Sequence, residues 1–405
     1  MNVLIVRLGA LGDIVHAVPA AAALRRAFPD ARLDWLVDAK HRAIVDLVTA
    51  IDRTIALDSP TLAGWTAAVR ELRRGAYDVA IDLQGLLKSA VLARASGAAR
   101  IVGFSIWHLR EKTARPFYSD VLEAEGGHVI AKNLRLLRAI GVEDDEIRFP
   151  LADVTSPALG HLRERIASDR PFALLNAGAA WPNKRWPPER FGELATFVRD
   201  ACGLTPVVLW GPGEERLVDS VVAASSNAAI AAPPTGIVDL VALTRAASLV
   251  ISGDTGPLHI ATAVGTPVVA LFGPTDPARN GPFSPDDVSV SRFEGCGCRY
   301  DRTCHQPTWC LADVTVAEVA AAVKRRLAKP TAPGSSAPGS SRDPCGLRLQ
   351  AEGGFRDPCG FRLHAEGGFR DPCGFRLQAE GGFRDPCGFR DPCGFRLQAE
   401  GHRRG

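Results

Sequence analysis

The 405-residue sequence has no apolar run near the roughly 18–20 residues that a transmembrane helix requires. It has little charge imbalance either, since its formal net charge of +3 gives no argument for nucleic acid or a strongly acidic partner. The first residues lack a secretory signal, because Arg7 and Asp13 interrupt the apolar segment. We therefore expect a cytosolic protein. A hydrophobic content of 46% over this length is enough for two cores.

Two common signatures are missing from segments that otherwise suggest ligand binding. The first strand–turn–helix carries Gly9-Ala-Leu-Gly12 instead of Gly-x-Gly-x-x-Gly, which weakens a dinucleotide interpretation. Asp254-Thr-Gly occurs once and a helical pattern follows it, whereas an aspartic protease pairs two such carboxylates on β-loops. We therefore set a protease aside.

The cysteines lack the Cys-x2-Cys spacing that zinc sites usually show. Five of the ten lie in repeats at the C-terminus, and Cys202 stands apart. The remaining cluster has one Cys-x-Cys pair and two gaps of five residues, with His305 nearby: Cys296, Cys298, Cys304 and Cys310. Two interpretations stay open, namely zinc binding and free thiols that anchor a loop. A cytosolic protein favours the thiols.

Short apolar runs alternate with helical patterns along most of the chain, which is typical of βα units and parallel sheets. The predicted strands are Asn2–Leu8, Leu33–Val37, Val79–Leu83, Arg100–Phe104, Pro171–Asn176, Pro206–Trp210, Ala228–Ala232, Leu249–Ser252 and Pro267–Phe272. A charged, turn-rich linker is expected from Glu143 to Pro157, and a last helix from Val316 to Leu327. We predict an α/β protein with two Rossmann-like, doubly wound domains, residues 1–155 and 156–329, facing a cleft.

Residues 330–405 form a third part of different composition. A fourteen-residue repeat begins at Arg342, Arg356, Arg370 and Arg384, and restarts early at Arg390. Proline and several glycines in each copy leave little to stack into a solenoid. We predict a disordered, low-complexity tail. The alternative is an adhesive or RNA-contacting arm rich in Arg and Phe.

The most informative segment is residues 252–260, Ser-Gly-Asp-Thr-Gly-Pro-Leu-His-Ile. A buried strand precedes it, and Pro257 opens a helical pattern that ends at Gly265. A strand that turns into a helix presents unpaired N–H groups and a positive dipole end, which suit a phosphate. His259, in the first turn, reaches the same anion. Alternatively, Asp254 and Thr255 only cap the helix.

Two further loops follow predicted strands. Asp13 faces the space above a tight glycine turn, before a helical pattern from Ile14 to Phe28, and its alternative role is again an N-cap. Lys184 lies between a glycine-containing loop and a helix that begins after Pro187-Pro188. A lysine beside an anion site holds a diphosphate as a point charge, and the alternative is a solvent-facing side chain.

Together these segments resemble the ADP-heptose:lipopolysaccharide heptosyltransferases, glycosyltransferases of family 9 with the two-domain GT-B fold. The resemblance covers residues 1 to about 328. It rests on Arg7-Leu-Gly-Ala-Leu-Gly-Asp13-Ile-Val-His, Asp82-Leu-Gln-Gly-Leu-Leu-Lys88-Ser-Ala, Lys184-Arg-Trp-Pro, Trp210-Gly-Pro-Gly-Glu, Asp254-Thr-Gly-Pro-Leu-His259 and Gly273-Pro-Thr-Asp276. Gln84 to Ala90 and Arg110-Glu-Lys with Phe117-Tyr are most similar to heptosyltransferase I. The tail has no counterpart in the family.

The resemblance implies that the C-terminal domain binds ADP-heptose. The turn amides of Asp254, Thr255 and Gly256 then face the diphosphate, with His259 nearby and Lys184 opposing its charge. Glu214 lies near the ribose and Thr235 near the adenine. Ala179 and Ala180 stand where the family often has hydroxyl residues, so contacts there fall to the backbone. The implied donor set is Ala179, Ala180, Lys184, Glu214, Thr235, Asp254, Thr255, Gly256 and His259.

The resemblance also implies that the N-terminal domain binds the acceptor, the Kdo sugar of Kdo-lipid A. Asp13 acts as general base for an inverting transfer, while Lys88 and Arg110 bind acceptor anions, and neither metal nor cofactor is expected. The lipid acceptor implies peripheral contact with the cytoplasmic face of the inner membrane, through residues such as Trp107 and Phe117. The alternatives are heptosyltransferase II, a relative using another nucleotide sugar, and an inactive GT-B binding protein.

Overall fold

The computed structural model describes residues 1–58, 61–123, 127–166 and 170–329, which contain two six-stranded sheets. The predicted tail and its five cysteines lie outside the described residues. The strands of the first sheet are β1 (Asn2–Val6), β2 (Arg32–Asp38), β3 (Arg53–Leu57), β4 (Val79–Asp82), β5 (Arg100–Phe104) and β6 (Asp120–Leu122). Those of the second are β7 (Phe172–Asn176), β8 (Thr205–Leu209), β9 (Ile230–Ala231), β10 (Leu249–Gly253), β11 (Val268–Phe272) and β12 (Val288–Ser291).

Helices connect these strands in the βα alternation that the sequence predicts. The helices of the first half are α1 (Leu11–Val15), α2 (Val18–Ala27), α3 (Arg42–Val45), α4 (Leu62–Arg74), α5 (Leu87–Ala95) and α6 (Val129–Leu136). Those of the second are α7 (Pro157–Ile166), α8 (Pro188–Cys202), α9 (Glu215–Ala224), α10 (Ile237–Ala246), α11 (Gly256–Ala263), α12 (Pro277–Asn280) and α13 (Val316–Leu327). None of the helices described is both long and apolar enough to cross a bilayer.

Both sheets are parallel and share one topology. Their strand orders are β3-β2-β1-β4-β5-β6 and β12-β11-β10-β7-β8-β9. The direction of winding changes between β1 and β4 in the first sheet and between β7 and β10 in the second. Ligands of open α/β sheets bind at the carboxyl ends of strands at this switch point. The turns after β1, β7 and β10 carry Asp13, Lys184 and Asp254 respectively, so each predicted central residue follows a switch-point strand.

The two-domain α/β prediction is confirmed, and the nine predicted strands are all present. Three strands that were not predicted, β3, β6 and β12, all lie at sheet edges. The predicted helix from Ile14 to Phe28 is wrong as a single helix, because the chain breaks at His16 and Ala17 into α1 and α2. Helix α13 has the predicted bounds, and α8 begins at Pro188, the second of the two prolines.

The two halves are packed together through α1 and α11. Ile14 and Val15 of α1 belong to the same buried apolar cluster as Leu258 and Ile260 of α11. Leu11 lies directly against Gly256, where a Cβ would have no space. The carboxyl ends of the two switch-point regions are therefore brought against each other by burial of apolar surface.

A buried carboxylate fixes the loop that follows β4. Asp82 accepts hydrogen bonds from Tyr118 Oη at 2.6 Å, Ser89 Oγ at 2.8 Å and the Gln84 amide at 2.8 Å. Burial raises the pKa of Asp82 although these hydrogen bonds favour its ionised form. Gln84 Oε1 in turn accepts from the Leu8 amide at 2.7 Å. The β4 loop thereby holds the chain just before the α1 turn.

Tyr118→Phe removes one hydrogen bond to the Asp82 carboxylate and should lower the free energy of unfolding by about 1.5–3 kcal/mol. Tyr77→Phe is the matched control, because Tyr77 Oη donates to the equally buried Asp34 at 2.7 Å. Asp34 keeps a cationic partner, Arg32 at 2.8 Å, whereas the partners left to Asp82 are neutral, so the control should cost only about 1 kcal/mol. Urea denaturation of both variants measures the difference, and an equal or larger cost for Tyr77→Phe would contradict this account.

Candidate active site between the two sheets

The turn after β10 leads into α11 without a side-chain cap. Thr255 is the N-cap residue, but its side chain makes no capping hydrogen bond. Its hydroxyl instead accepts from Asn176 Nδ2 at 2.8 Å, which ties the turn to the end of β7. Asp254 directs its carboxylate away to Lys184 and His259. The interpretation of Asp254 and Thr255 as simple caps is therefore wrong.

Half-buried Lys184 forms one cluster with the buried side chains of Asp254 and His259. Lys184 ends a 3-10 turn, Pro182–Lys184, and its Nζ lies 2.6 Å from Asp254 Oδ2. His259 Nε2 lies 3.1 Å from the other carboxylate oxygen. Burial alone would raise the pKa of Asp254, but His259 and Lys184 together hold it well below its usual range. The Lys184 ammonium also lies 4.4 Å from the centre of the Trp181 ring, so it is not a solvent-facing lysine.

Asp13 lies in the first turn of α1, where Ala10 is the N-cap residue, so the N-cap interpretation is wrong for Asp13. Its Oδ2 lies 2.8 Å from Arg7 Nη2 and 3.7 Å from Arg110 Nη1. Arg7 is buried and also donates to the Leu83 carbonyl. The Asp13 side chain keeps 29% of its surface exposed. A buried arginine thus orients a carboxylate that solvent or a ligand still reaches.

Three histidines connect the two halves beside these carboxylates. The His16 ring lies 4.3 Å from that of His259 and 5.3 Å from that of His128. His128 Nε2 lies 2.8 Å from the carbonyl oxygen of Gly281, across the joint. Burial, followed by the charges of the other two histidines, lowers the pKa of His16 well below its usual value. Gly12, beside Asp13, lies so close to the His259 ring that a Cβ there would overlap it.

The other predicted donor residues follow the ends of β7, β8 and β9. The Glu214 carboxylate accepts from the Gly211 amide at 2.9 Å and lies against Gly178 in the β7 loop. Ala179 is buried and Ala180 is exposed, while Thr235 is half-buried in the connection between β9 and α10. These residues therefore share one edge of the second sheet, although no contact joins Thr235 to Lys184 in the described residues.

The predicted acceptor residues are more exposed than the donor cluster, and Arg110 is the one with a contact to Asp13 among the contacts described. Arg110 is exposed beside Asp13, whereas Lys88 Nζ lies 3.0 Å from Asp38 Oδ1 at the end of β2. Trp107 is 77% exposed. Phe117 instead is half-buried and packs against the apolar cluster of the first sheet, which leaves less of it for membrane contact than expected.

Sequence reasoning missed Arg7, His16 and His128, which the structure places around Asp13 and His259. Arg7 and His16 flank Asp13 in the segment that carries the resemblance, so their proximity in the chain was the available signal. The sequence offered no such signal for His128, because the residues that its ring contacts, His16 and Gly281, lie more than a hundred residues away in the chain. Within the ranges that the structure describes, no three or more His, Cys, Asp or Glu side chains are grouped to hold a metal ion.

Comparisons with known proteins identify the family. The family model for glycosyltransferase family 9 (heptosyltransferase) matches residues 65–310. Lipopolysaccharide heptosyltransferase 1 of Pseudomonas aeruginosa is 30% identical over 322 residues, which covers 76% of this chain and 89% of that protein. Lipopolysaccharide heptosyltransferase 1 of Salmonella typhimurium is 26% identical over 301 residues, or 71% of this chain and 93% of that protein.

Solved heptosyltransferases share the fold. The Escherichia coli heptosyltransferase WaaC with ADP matches with a TM-score of 0.66 and 22% identity, over 80% of this chain and 100% of that one. E. coli ADP-heptose lps heptosyltransferase II also matches with a TM-score of 0.66 and 22% identity, over 81% and 99% of the two chains. By its matched family model and its 30% identity to a curated relative, the chain belongs to glycosyltransferase family 9, the heptosyltransferases.

Proposed function

We propose that this chain transfers L-glycero-D-manno-heptose from ADP-heptose to the Kdo of lipid A-Kdo, as a lipopolysaccharide heptosyltransferase I. The observation that carries the proposal is the approach of the Asp13 turn to the Lys184–Asp254–His259 cluster across the joint of the two halves. The relatives with 30% and 26% identity named above both carry the name heptosyltransferase 1. Relatives named heptosyltransferase 3 have 24% identity.

In this proposal residues 156–329 bind the donor. The first-turn amides at Thr255 and Gly256 and the positive end of α11 attract the diphosphate. Lys184 supplies a cation that Asp254 holds in place, and His259 lies on the same side of the turn. Glu214 is assigned to the ribose and Thr235 to the adenine. At Ala179 and Ala180 only backbone groups are available to the phosphates.

Residues 1–155 are assigned to the acceptor, with Asp13 as the general base. The base must come within hydrogen-bond reach of the Kdo hydroxyl that it deprotonates. Arg7 orients Asp13, whose exposed oxygen is accessible to such a hydroxyl. Two cations are assigned to the carboxylates and phosphates of the acceptor. Arg110 lies next to Asp13, and Lys88 would have to exchange its present partner Asp38 for the acceptor.

The proposed chemistry is a single displacement with inversion. The hydroxyl oxygen attacks the anomeric carbon while the bond to the ADP oxygen breaks, and Asp13 accepts the hydroxyl proton. Positive charge develops on the sugar and negative charge on the departing diphosphate. Lys184 and the α11 amides stabilise the negative charge that develops on the diphosphate.

A lipid acceptor requires that the enzyme work at the cytoplasmic face of the inner membrane, in peripheral contact with it. Exposed Trp107 and Ile106 lie four residues or fewer from Arg110, so apolar and basic groups share one surface of the first half. This combination suits an anionic lipid surface.

The first experiment measures ADP release from ADP-heptose with and without Kdo-lipid A. Release that depends on this acceptor supports the proposed function. Release that requires an acceptor already carrying a heptose indicates heptosyltransferase II instead. Binding of ADP without release on either acceptor would indicate another sugar or an inactive binding protein, and no binding of ADP would overturn the assignment of the donor site.

Asp13→Asn should lower kcat by about 10²–10⁴-fold, because the amide cannot accept the hydroxyl proton. The affinity for ADP-heptose should change little, since Asp13 faces the acceptor. Steady-state assays with a separate calorimetric titration of the donor measure both. The control is Asp30→Asn, which changes an exposed carboxylate in the turn before β2. A variant at Asp13 that keeps full kcat would exclude it as the base.

Lys184→Met should weaken ADP binding by about 10–100-fold, the equivalent of one charge-assisted contact. Lys184→Arg keeps the charge and should recover part of the affinity. The control is Lys324→Met, at an exposed position of α13. Calorimetric titration with ADP gives the affinities, and circular dichroism establishes that each variant is folded. Unchanged affinity in a folded Lys184→Met protein would refute the contact with the diphosphate.

A further inference from the structure

A cysteine-rich segment near the end of the second half takes no part in the proposed transfer. We call residues 292–313 the cysteine loop. Its four thiols form one cluster with two short sulfur–sulfur distances, 3.2 Å for Cys298–Cys304 and 3.3 Å for Cys296–Cys310. Cys296 and Cys298 are buried, and the other two are half-buried. The sulfur distances therefore group the four thiols as two dithiols.

The cysteine loop lies directly on the loop that carries Lys184. Asn183 Nδ2 donates to the Asp301 carbonyl at 2.9 Å, and Trp309 Nε1 donates to the Arg185 carbonyl at 2.7 Å. The Cys310 sulfur lies where a Cβ on Gly273, just after β11, would meet it at 3.0 Å. A bond that restrains the cysteine loop would therefore also restrain Asn183 and Arg185, the residues on either side of Lys184.

We propose that the cysteine loop is an oxidation site, in which Cys298–Cys304 and Cys296–Cys310 each form a disulfide with a small-molecule disulfide as oxidant. In each pair one thiolate attacks a sulfur of glutathione disulfide, and one glutathione leaves as a thiolate. The second cysteine thiolate then attacks the mixed disulfide and releases the second glutathione. Two thiols and one glutathione disulfide thus become one protein disulfide and two molecules of reduced glutathione, which carry the two protons.

The pairing follows from distance, since each sulfur already touches its partner and a disulfide needs an approach to about 2.05 Å. Burial and the hydrogen bond with Cys296 raise the pKa of Cys310 to about 12. At neutral pH Cys310 is thus protonated and donates to the Cys296 sulfur. Residues 299–303, between Cys298 and Cys304, are exposed and let a small oxidant approach that pair.

The test oxidises the full chain with glutathione disulfide, alkylates the remaining thiols, and maps tryptic peptides without reduction. Cleavage after Arg292, Arg299 and Arg302 separates Cys296 and Cys298 from Cys304 and Cys310, and the tail cysteines fall in other peptides. In the native sequence the two peptides should be linked and carry no alkylated cysteine. In Cys298→Ser the link should persist through Cys296–Cys310, with Cys304 alkylated. In Cys296→Ser it should persist through Cys298–Cys304, with Cys310 alkylated.

Oxidation should also raise the Tm by about 3–10 °C, because the bonds restrict the unfolded chain. The matched control replaces all four loop cysteines with serine and keeps Cys202 and the tail cysteines, and it should show no shift. Scrambled pairing, glutathione mixed disulfides at all four positions, or bound zinc that is lost with any single cysteine would each overturn the proposal. Activity of the transferase is not needed for any of these measurements, so the test is independent of the proposed function.

Discussion

The buried Asp254 carboxylate is the interaction on which the arrangement of the site depends. Two cationic or hydrogen-bonding partners from different elements, Lys184 and His259, meet at its two oxygens. Loss of one of these partners would leave a buried charge unpaired, which lowers the free energy of unfolding by about 3–5 kcal/mol. The β7 loop, the β10 turn and α11 are therefore held in one relative position. His259 also contacts Gly12 and His16, so these elements of the second half are held against the first half as well.

The same device occurs in both halves with different exposure. Asp13 and Asp254 each follow a switch-point strand and each bind a cation. The Asp254 side chain is 5% exposed and its pKa is depressed, so it is a poor proton acceptor. The Asp13 side chain is 29% exposed and lies beside a second cation, the exposed Arg110. One repeated fold thus supplies a structural carboxylate, Asp254, and the carboxylate that we propose as the base, Asp13, and solvent access distinguishes them.

The sequence alone predicted the central strands because both of their faces are buried, which requires continuous apolar runs. It did not predict β3, β6 and β12, since edge strands bury less and include polar residues, as in Val288-Ser-Val-Ser. Asp13, Lys184 and Asp254 were singled out by their place after strands, and their roles were expected from the family resemblance. Their partners were harder to predict. The capping roles considered for Asp13 and Thr255 were wrong because charged and amide partners elsewhere compete for these side chains. His16 acquires its environment only from residues distant in the chain.

Gly12 sets how closely the two halves approach. Its lack of a side chain allows backbone of the first half to lie against the imidazole of His259. Any methyl group at this position would act as a wedge, because the ring behind it is held by Asp254 and packed against His16. A contact between the halves that leaves no room for one added carbon atom thus lies beside the proposed base.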